Sequence, residues 1–407
     1  MSDKTILILG TGDTKSDEMR YLSDCITGQG ARPLVMDVGV LGEPEAHVDI
    51  TRHEVAEAAN TTNADIIALG DENLAMAKTS EGAAALAQRL QQAGKVHGIL
   101  ILGGTMGTDL ALDVCNALPM GFPKVIVTTV AFSPLLPGPR IAPDVMMILW
   151  AGGLYGLNAI CKSSLSQAAG AVVGAARAVE APDATRPVIG MTSLGTSSLK
   201  YIKALKPALE ARGFEVAIFH TTGMGGQAFE ALAAKRAFAC VMDFSLVEVS
   251  NHLHGSVVSA GATRLTAAGR AGIPQIIAPG GVSLIDMQAW ADPDPRFEGR
   301  EIHAHNRLIA CALMSHEEKA QAGREIARKA AAAKGPVRVL MPIQGIDEWD
   351  RPGGPFHDPD GLAQLAGALS EAPGYEALDL HINDTGFAER ALEILDGWIA
   401  EGTVPRP

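Results

Sequence analysis

Short apolar runs rich in β-branched residues alternate along this chain with alanine- and leucine-rich segments of helical period. In the first half the runs are TILILG (5–10), PLVMDVGV (33–40), DIIALG (65–70), HGILILGG (97–104) and KVIVTTV (124–130). A strand that is apolar at every position, not at alternate ones, is buried on both faces, as in a parallel sheet covered by helices. The first half is therefore predicted to be an α/β layered unit.

The alanine-rich segment SLSQAAGAVVGAARAVE runs into VEAPDATRP (179–187), where two prolines, an Asp and a Thr break the helical pattern. This break predicts a boundary between residues 1–180 and 187–407. The same grammar then restarts with PVIGMTSLG, FEVAIFHTTG, FACVMDFS, PQIIAPGG, VRVLMPIQG and ALDLHIND, so the second half is predicted to be another α/β unit. The halves echo each other: ILGTGDTKSDEMRYL matches IGMTSLGTSSLKYI, and LILGGTMGTDLALDV matches AIFHTTGMGGQAFEAL. Duplication and the shared chemistry of any βα turn both account for this.

Composition narrows the class. At 407 residues, 47% hydrophobic and 19% charged, the chain has material for substantial cores and reads as soluble and globular. Its formal charge of −13 argues against nucleic acid or an anionic membrane as a general partner, and leaves room for a local basic site. Five scattered cysteines, with no C-x-x-C pair, suggest neither a disulfide framework nor a zinc knuckle and fit a reducing cytoplasm. The N-terminus lacks the pattern of a signal peptide, and VMMILWAGGLYGL is too short and glycine-rich to span a membrane.

Five turns carry the candidate chemistry: GTGDTKS (10–16), GGTMGTD (103–109), TSLGTSS (192–198), TTGMGG (221–226) and APGGVS (278–283). Each follows a predicted strand, where open α/β sheets bind ligands and where helix N–H groups attract anions. A single turn of this kind reads as a well-capped connector; five on the sheet edges favour a phosphate-bearing ligand. Candidate contacts are Gly12, Lys15, Gly103, Gly104, Thr105, Gly107, Thr108, Thr222, Gly223, Gly225, Gly226, Gly280 and Gly281, with Arg264 for charge. GTGDTKS is not a Walker A loop, because Thr14 and not Gly precedes Lys15, and it lacks the third glycine of a dinucleotide fingerprint.

Asp243 and Asp384 follow strand-like runs and read as a general base, an Mg2+ ligand or turn caps. Glu248 and His252, four apart in EVSNHLHG with His254 beside them, offer an alternative metal site, although no strong motif supports one. No G-x-S-x-G elbow is present, so covalent acyl chemistry has no support.

The motifs GTGDTKSDEMRYL, LGGTMGT, LPMGFPKVIVTT, FHTTGMGGQAFE, SAGATRLTAAGRAGIPQIIAPGGVSLIDM, HAHNRL and HINDTGFAE, in this order, resemble a family of ATP-binding domains. That family is named after the tobamovirus-resistance protein of tomato, and its bacterial members form an uncharacterised protein family. The resemblance covers nearly the whole chain. It implies two Rossmann-like domains, binding of ATP or a related nucleotide, and a homodimer. Mg2+ is expected beside the nucleotide, and from the residues themselves His303, His305, Asn306 and Arg307 of HAHNR are read as contacts to an anionic substrate. Three functions stay open: an ATP-using enzyme of small acids, a nucleotide-gated regulator of a protein partner, and a metal-dependent enzyme. The chain departs from the family pattern in MTSLGTSSLKYI and in SNHLHGS, so its ligand is open to difference from the typical member's.

Overall fold

The computed structural model describes residues 4–180, 185–292 and 294–407. It divides the chain into two compact units, residues 1–182 and 183–407. Of the expected boundary segment 179–187, residues 181–184 lie outside the described residues.

The first unit is built on β1 (Thr5–Gly10), β2 (Arg32–Asp37), β3 (Gly98–Gly103), β4 (Lys124–Thr128) and β5 (Met146–Leu149). All pair in parallel, in the order β2-β1-β3-β4-β5. The continuous apolarity of β1 has a direct cause. Ile6 and Ile8 enter one core with helices Ser16–Gly28 and Ala159–Ala178, whereas Leu7 and Leu9 enter another with helices Glu72–Gln92 and Thr105–Ala117.

The second unit opens with β6 (Val188–Ser193), β7 (Glu215–His220), β8 (Cys240–Asp243) and β9 (Gln275–Ile277). A three-stranded antiparallel sheet follows, made of β10 (Leu284–Gln288), β11 (Ile302–Ala304) and β12 (Ile309–Leu313) in the order β10-β12-β11. The chain then returns with β13 (Val337–Pro342) and β14 (Tyr375–Leu378), giving a six-stranded parallel sheet in the order β14-β13-β9-β8-β6-β7. Its strands too feed cores on both faces: Met191 and Met242 pack with helices Leu199–Ala211 and Thr385–Ala400, and Ile277 and Met341 with helices His316–Ala331 and Pro359–Leu369.

The expected fold class holds, two α/β units each with a mostly parallel sheet and helices on both faces. In each, winding reverses between the first and third strands, β1 and β3 or β6 and β8, and ligands favour the crevice outside the carboxyl ends at such a point. The two echoes differ under this topology. GTGDTKS and TSLGTSS both follow a first strand, but GGTMGTD follows the third strand of its unit and TTGMGG the second of its own.

Some local expectations fail. DIIALG is not a strand; residues Asn63–Ala68 form a helix, because the Thr62 hydroxyl and the Asp65 carboxylate cap each other's backbone as a reciprocal box. The last strand ends at Leu378, before most of ALDLHIND, and β5 and the small antiparallel sheet were not anticipated. Among the described residues no helix is long and apolar enough to cross a membrane.

Candidate functional site

The TTGMGG turn does hold an anion, and the anion is the chain's own. Helix Met224–Ala234 starts at Gly223, whose φ of +93° suits glycine. Glu248 Oε1 accepts the N–H of Gly223 at 2.6 Å and of Gly226 at 3.1 Å. A Cβ on Gly226 would overlap that carboxylate, and one on Gly225 would overlap the carbonyl of His220. Gly223, Gly225 and Gly226 are thus required by internal packing, which corrects their reading as contacts to a phosphate ligand.

The other Glu248 oxygen meets Arg264, which has no exposed surface. The Arg264 guanidinium forks onto Asp243 at 2.6 and 2.7 Å, donates to Glu248 at 2.8 Å and to the Ser245 carbonyl at 3.1 Å, and pairs with Glu230 at 3.3 Å. Burial alone would lower its pKa, but the three carboxylates outweigh this and hold it well above the ordinary value. Burial in turn pushes Glu230 and Glu248 upward, with Arg264 opposing. Arg264 is therefore no phosphate partner. Asp243, also bonded by Thr192 Oγ1 at 2.8 Å, is neither a cleft base nor a metal ligand.

The alternative metal set fails for the same reason: both Glu248 oxygens are engaged, and His252 Nδ1 lies 3.2 Å from Ser259 Oγ. Among the described residues no three His, Cys, Asp or Glu side chains are grouped to hold a metal ion. Gly280 and Gly281 are buried; a Cβ on Gly280 would overlap the Phe244 carbonyl, and the Gly281 N–H already donates to Ile346. Asp384 caps a turn, accepting from the His381 N–H at 2.9 Å beside Arg351.

At the first unit's carboxyl edge the two turns beside the β1/β3 reversal differ. The Gly12 N–H donates to buried Asp37 at 2.8 Å, and helix Ser16–Gly28 carries Asp17 and Glu18 in its first turn, so an anion is unwelcome there. Gly12 is thus a packing glycine. The Lys15 ammonium lies 4.7 Å from the centre of the exposed Tyr155 ring.

Helix Thr105–Ala117 has no acidic residue in its first turn and no side-chain cap. Thr105 and Met106 are exposed, and a Cβ on Gly104 would meet only Thr129 Oγ1, at 3.9 Å. Gly103 and Gly107 let strand and helix touch, since a Cβ on Gly103 would lie 2.5 Å from Gly107 Cα. Thr108 is buried and bonded to the Gly104 carbonyl at 2.7 Å and to Thr128 at 2.6 Å, so it braces the turn and does not face a ligand. What remains open is the row of first-turn N–H groups from Thr105 to Gly107.

In the second unit a cavity of about 300 Å³ brings together Gly195 and Ser197 after β6, His220 at the end of β7 and Thr222 beyond it, Asp286 on β10, and His305, Asn306 and Trp349. Of the expected residues, Thr222, His305 and Asn306 meet here. His303 packs between Trp349, 4.9 Å away, and Phe356, 5.5 Å away. Arg307 is exposed and bonds to none of the described residues. Burial raises the Asp286 pKa, with Asn251 and His305 pulling it back. Asp347 accepts the Trp349 main-chain N–H at 2.9 Å, and burial pushes its pKa up to about 6, with the Trp349 amide and the Ser197 hydroxyl pulling it back. Asp286, Trp349 and Asp347 were missed; the signals were a lone acid in the apolar run VSLIDM and a tryptophan in the acidic turn GIDEWD.

Of the two open α/β sheets, one thus presents helix amides at its carboxyl edge and the other a polar cavity. The chain belongs to the UPF0261 family: "Uncharacterised protein family (UPF0261) N-terminal domain" matches residues 4–181 and the corresponding C-terminal domain residues 186–399. A UPF0261 protein of Brucella melitensis is 53% identical over 403 residues, 98% of this chain and 96% of that protein. The ToMV resistance protein Tm-1(GCR237) of Solanum lycopersicum is 27% identical over 421 residues, which cover 95% of this chain and 55% of that protein. Among solved structures, MurG of Acinetobacter baumannii aligns with 97% of this chain and 99% of its own at 11% identity, with a TM-score of 0.20.

Proposed function

We propose that this chain binds ATP at the carboxyl edge of its first unit and is an enzyme that uses it on a small anionic molecule, acting in the cytoplasm as a homodimer. The observation that carries the reading is the open start of helix Thr105–Ala117 beside the β1/β3 reversal, uncapped, free of acids in its first turn, and clear of obstruction at Gly104. Lys15, on the turn after the neighbouring strand, sets one cation against Asp17 and Glu18 at that edge. The family resemblance supplies the nucleotide; the turn supplies the amides. Mg2+ would come with the phosphates and keep most of its water, a binding mode that needs few protein carboxylates.

A second reading, a nucleotide-gated regulator, is favoured by the exposed apolar side chains Phe132, Leu135, Tyr155 and Ile160, which follow β4 and β5 of the same unit. Calorimetric titration with MgATP tests binding, and prolonged incubation separates the readings. Release of ADP or AMP in the presence of small acids supports the enzyme; intact ATP with a tightened dimer supports the regulator.

A further inference from the structure

We propose that the cavity of the second unit binds a small hydroxycarboxylic acid, holding its carboxylate on neutral donors and its hydroxyl on Asp286. This does not depend on nucleotide binding by the first unit.

Two of the donors have their orientation set by backbone contacts. His220 Nδ1 accepts the Gly195 N–H at 3.4 Å, which leaves the neutral ring's proton on Nε2. Asn306 Oδ1 accepts the N–H groups of Leu308 and Ile309 at 2.7 and 3.0 Å, so its NH2 group remains to donate. The Thr222 hydroxyl, on an exposed residue lining the cavity, is a third donor. Three donors can fill three of the roughly four lone-pair sites of one carboxylate.

The acceptor is fixed as firmly. Asn251, which is fully buried, donates to Asp286 Oδ2 at 2.7 Å and accepts the Asp286 N–H at 2.8 Å. One carboxylate oxygen is thereby tied down, and Oδ1 is left for a ligand hydroxyl. His305, on the same cavity wall, can accept from or donate to that hydroxyl.

What the lining lacks selects against phosphate. Among the described residues no Lys or Arg lines this cavity, and a phosphate dianion is ordinarily met by fixed positive charge or a fork of charged donors. A volume of about 300 Å³ suits a small metabolite and is tight for a nucleotide. Trp349 gives the carbon skeleton an apolar wall.

The test is calorimetric titration of the full chain with D- and L-malate and with D-glycerate, each beside a matched control: succinate, which lacks the hydroxyl, and 3-phosphoglycerate, which adds a phosphate. At least one hydroxy acid is expected to bind saturably, with its control at least about tenfold weaker. Asn306→Ala and Asp286→Asn should each weaken that binding by about tenfold. Thr222→Val, at an exposed position, provides a further variant. The proposal is overturned if no hydroxy acid binds by about 10 mM. Equal affinity for the matched control, or affinity unchanged by both Asn306→Ala and Thr222→Val, would also overturn it.

Discussion

The carboxylate of Glu248 lies on the main-chain amide of Gly226, 3.1 Å away, so a helix start that reads from sequence as a phosphate cradle is filled by an anion of the chain itself. The same oxygen takes the Gly223 N–H, and the partner oxygen takes Arg264. Anion capture by such a turn is therefore a structural device here as well as a candidate functional one.

Glu248→Ala should strip Arg264 and two amides of the turn of a partner at a fully buried site. A loss of about 3 kcal/mol is expected, the usual cost of breaking a buried pair from one side. Urea unfolding measures it. Added sulfate should restore part of the loss by entering the cradle; a variant as stable as the parent would contradict the internal-anion reading.

Gly225→Ala and Gly104→Ala separate packing glycines from open ones. The first drives a methyl into the His220 carbonyl and should cost more than about 2 kcal/mol. The second meets only Thr129 Oγ1 at 3.9 Å and should cost no more than about 1 kcal/mol, the scale of an N-cap change. Thermal unfolding of the pair gives the order directly.

Asp347 makes stability depend on pH. Its folded pKa of about 6 lies above the ordinary 3.8, so the native state favours the protonated form. Its contribution is fully present below the unfolded pKa and is lost as pH rises through about 6, a change of up to about 3 kcal/mol. Asp347→Asn keeps an acceptor for the Trp349 N–H and removes the charge, so it should raise the melting temperature at pH 7.5 and change it little at pH 4. Equal shifts at both values would contradict the assignment.

Thiol reactivity should be confined to one cysteine. Burial pushes Cys115 and Cys311 up to about 12 and Cys240 higher still, and Cys161 is buried, whereas Cys25 is partly exposed. Native labelling with a disulfide reagent should therefore modify Cys25 and reach the other four only on unfolding.

How much of this was legible in sequence follows from range. Continuous apolar runs such as TILILG and HGILILGG announce a strand buried on both sides, because that demand acts on each residue separately. The roles of Arg264 and Asp243 were not legible, since they depend on a guanidinium meeting carboxylates 16 to 34 residues away, which no local pattern records. Gly225 and Gly104 look alike in sequence and differ only in what stands above them. His305 and Asn306 stand out in HAHNR and line the cavity, but Asp286, clamped by Asn251 35 residues earlier, shows its place beside them only in the fold. DIIALG misled because a capping box outweighs a short apolar run.

The central claim is that the open helix start at Gly104, and not the self-filled one at Gly225, meets the nucleotide. Titration of the parent, Gly104→Val and Gly225→Ala with MgATP by calorimetry tests it most directly. Saturable binding in the parent, weakened at least about tenfold in Gly104→Val and kept in folded Gly225→Ala, is the predicted result. No heat at millimolar MgATP, or affinity indifferent to Gly104→Val, would contradict it.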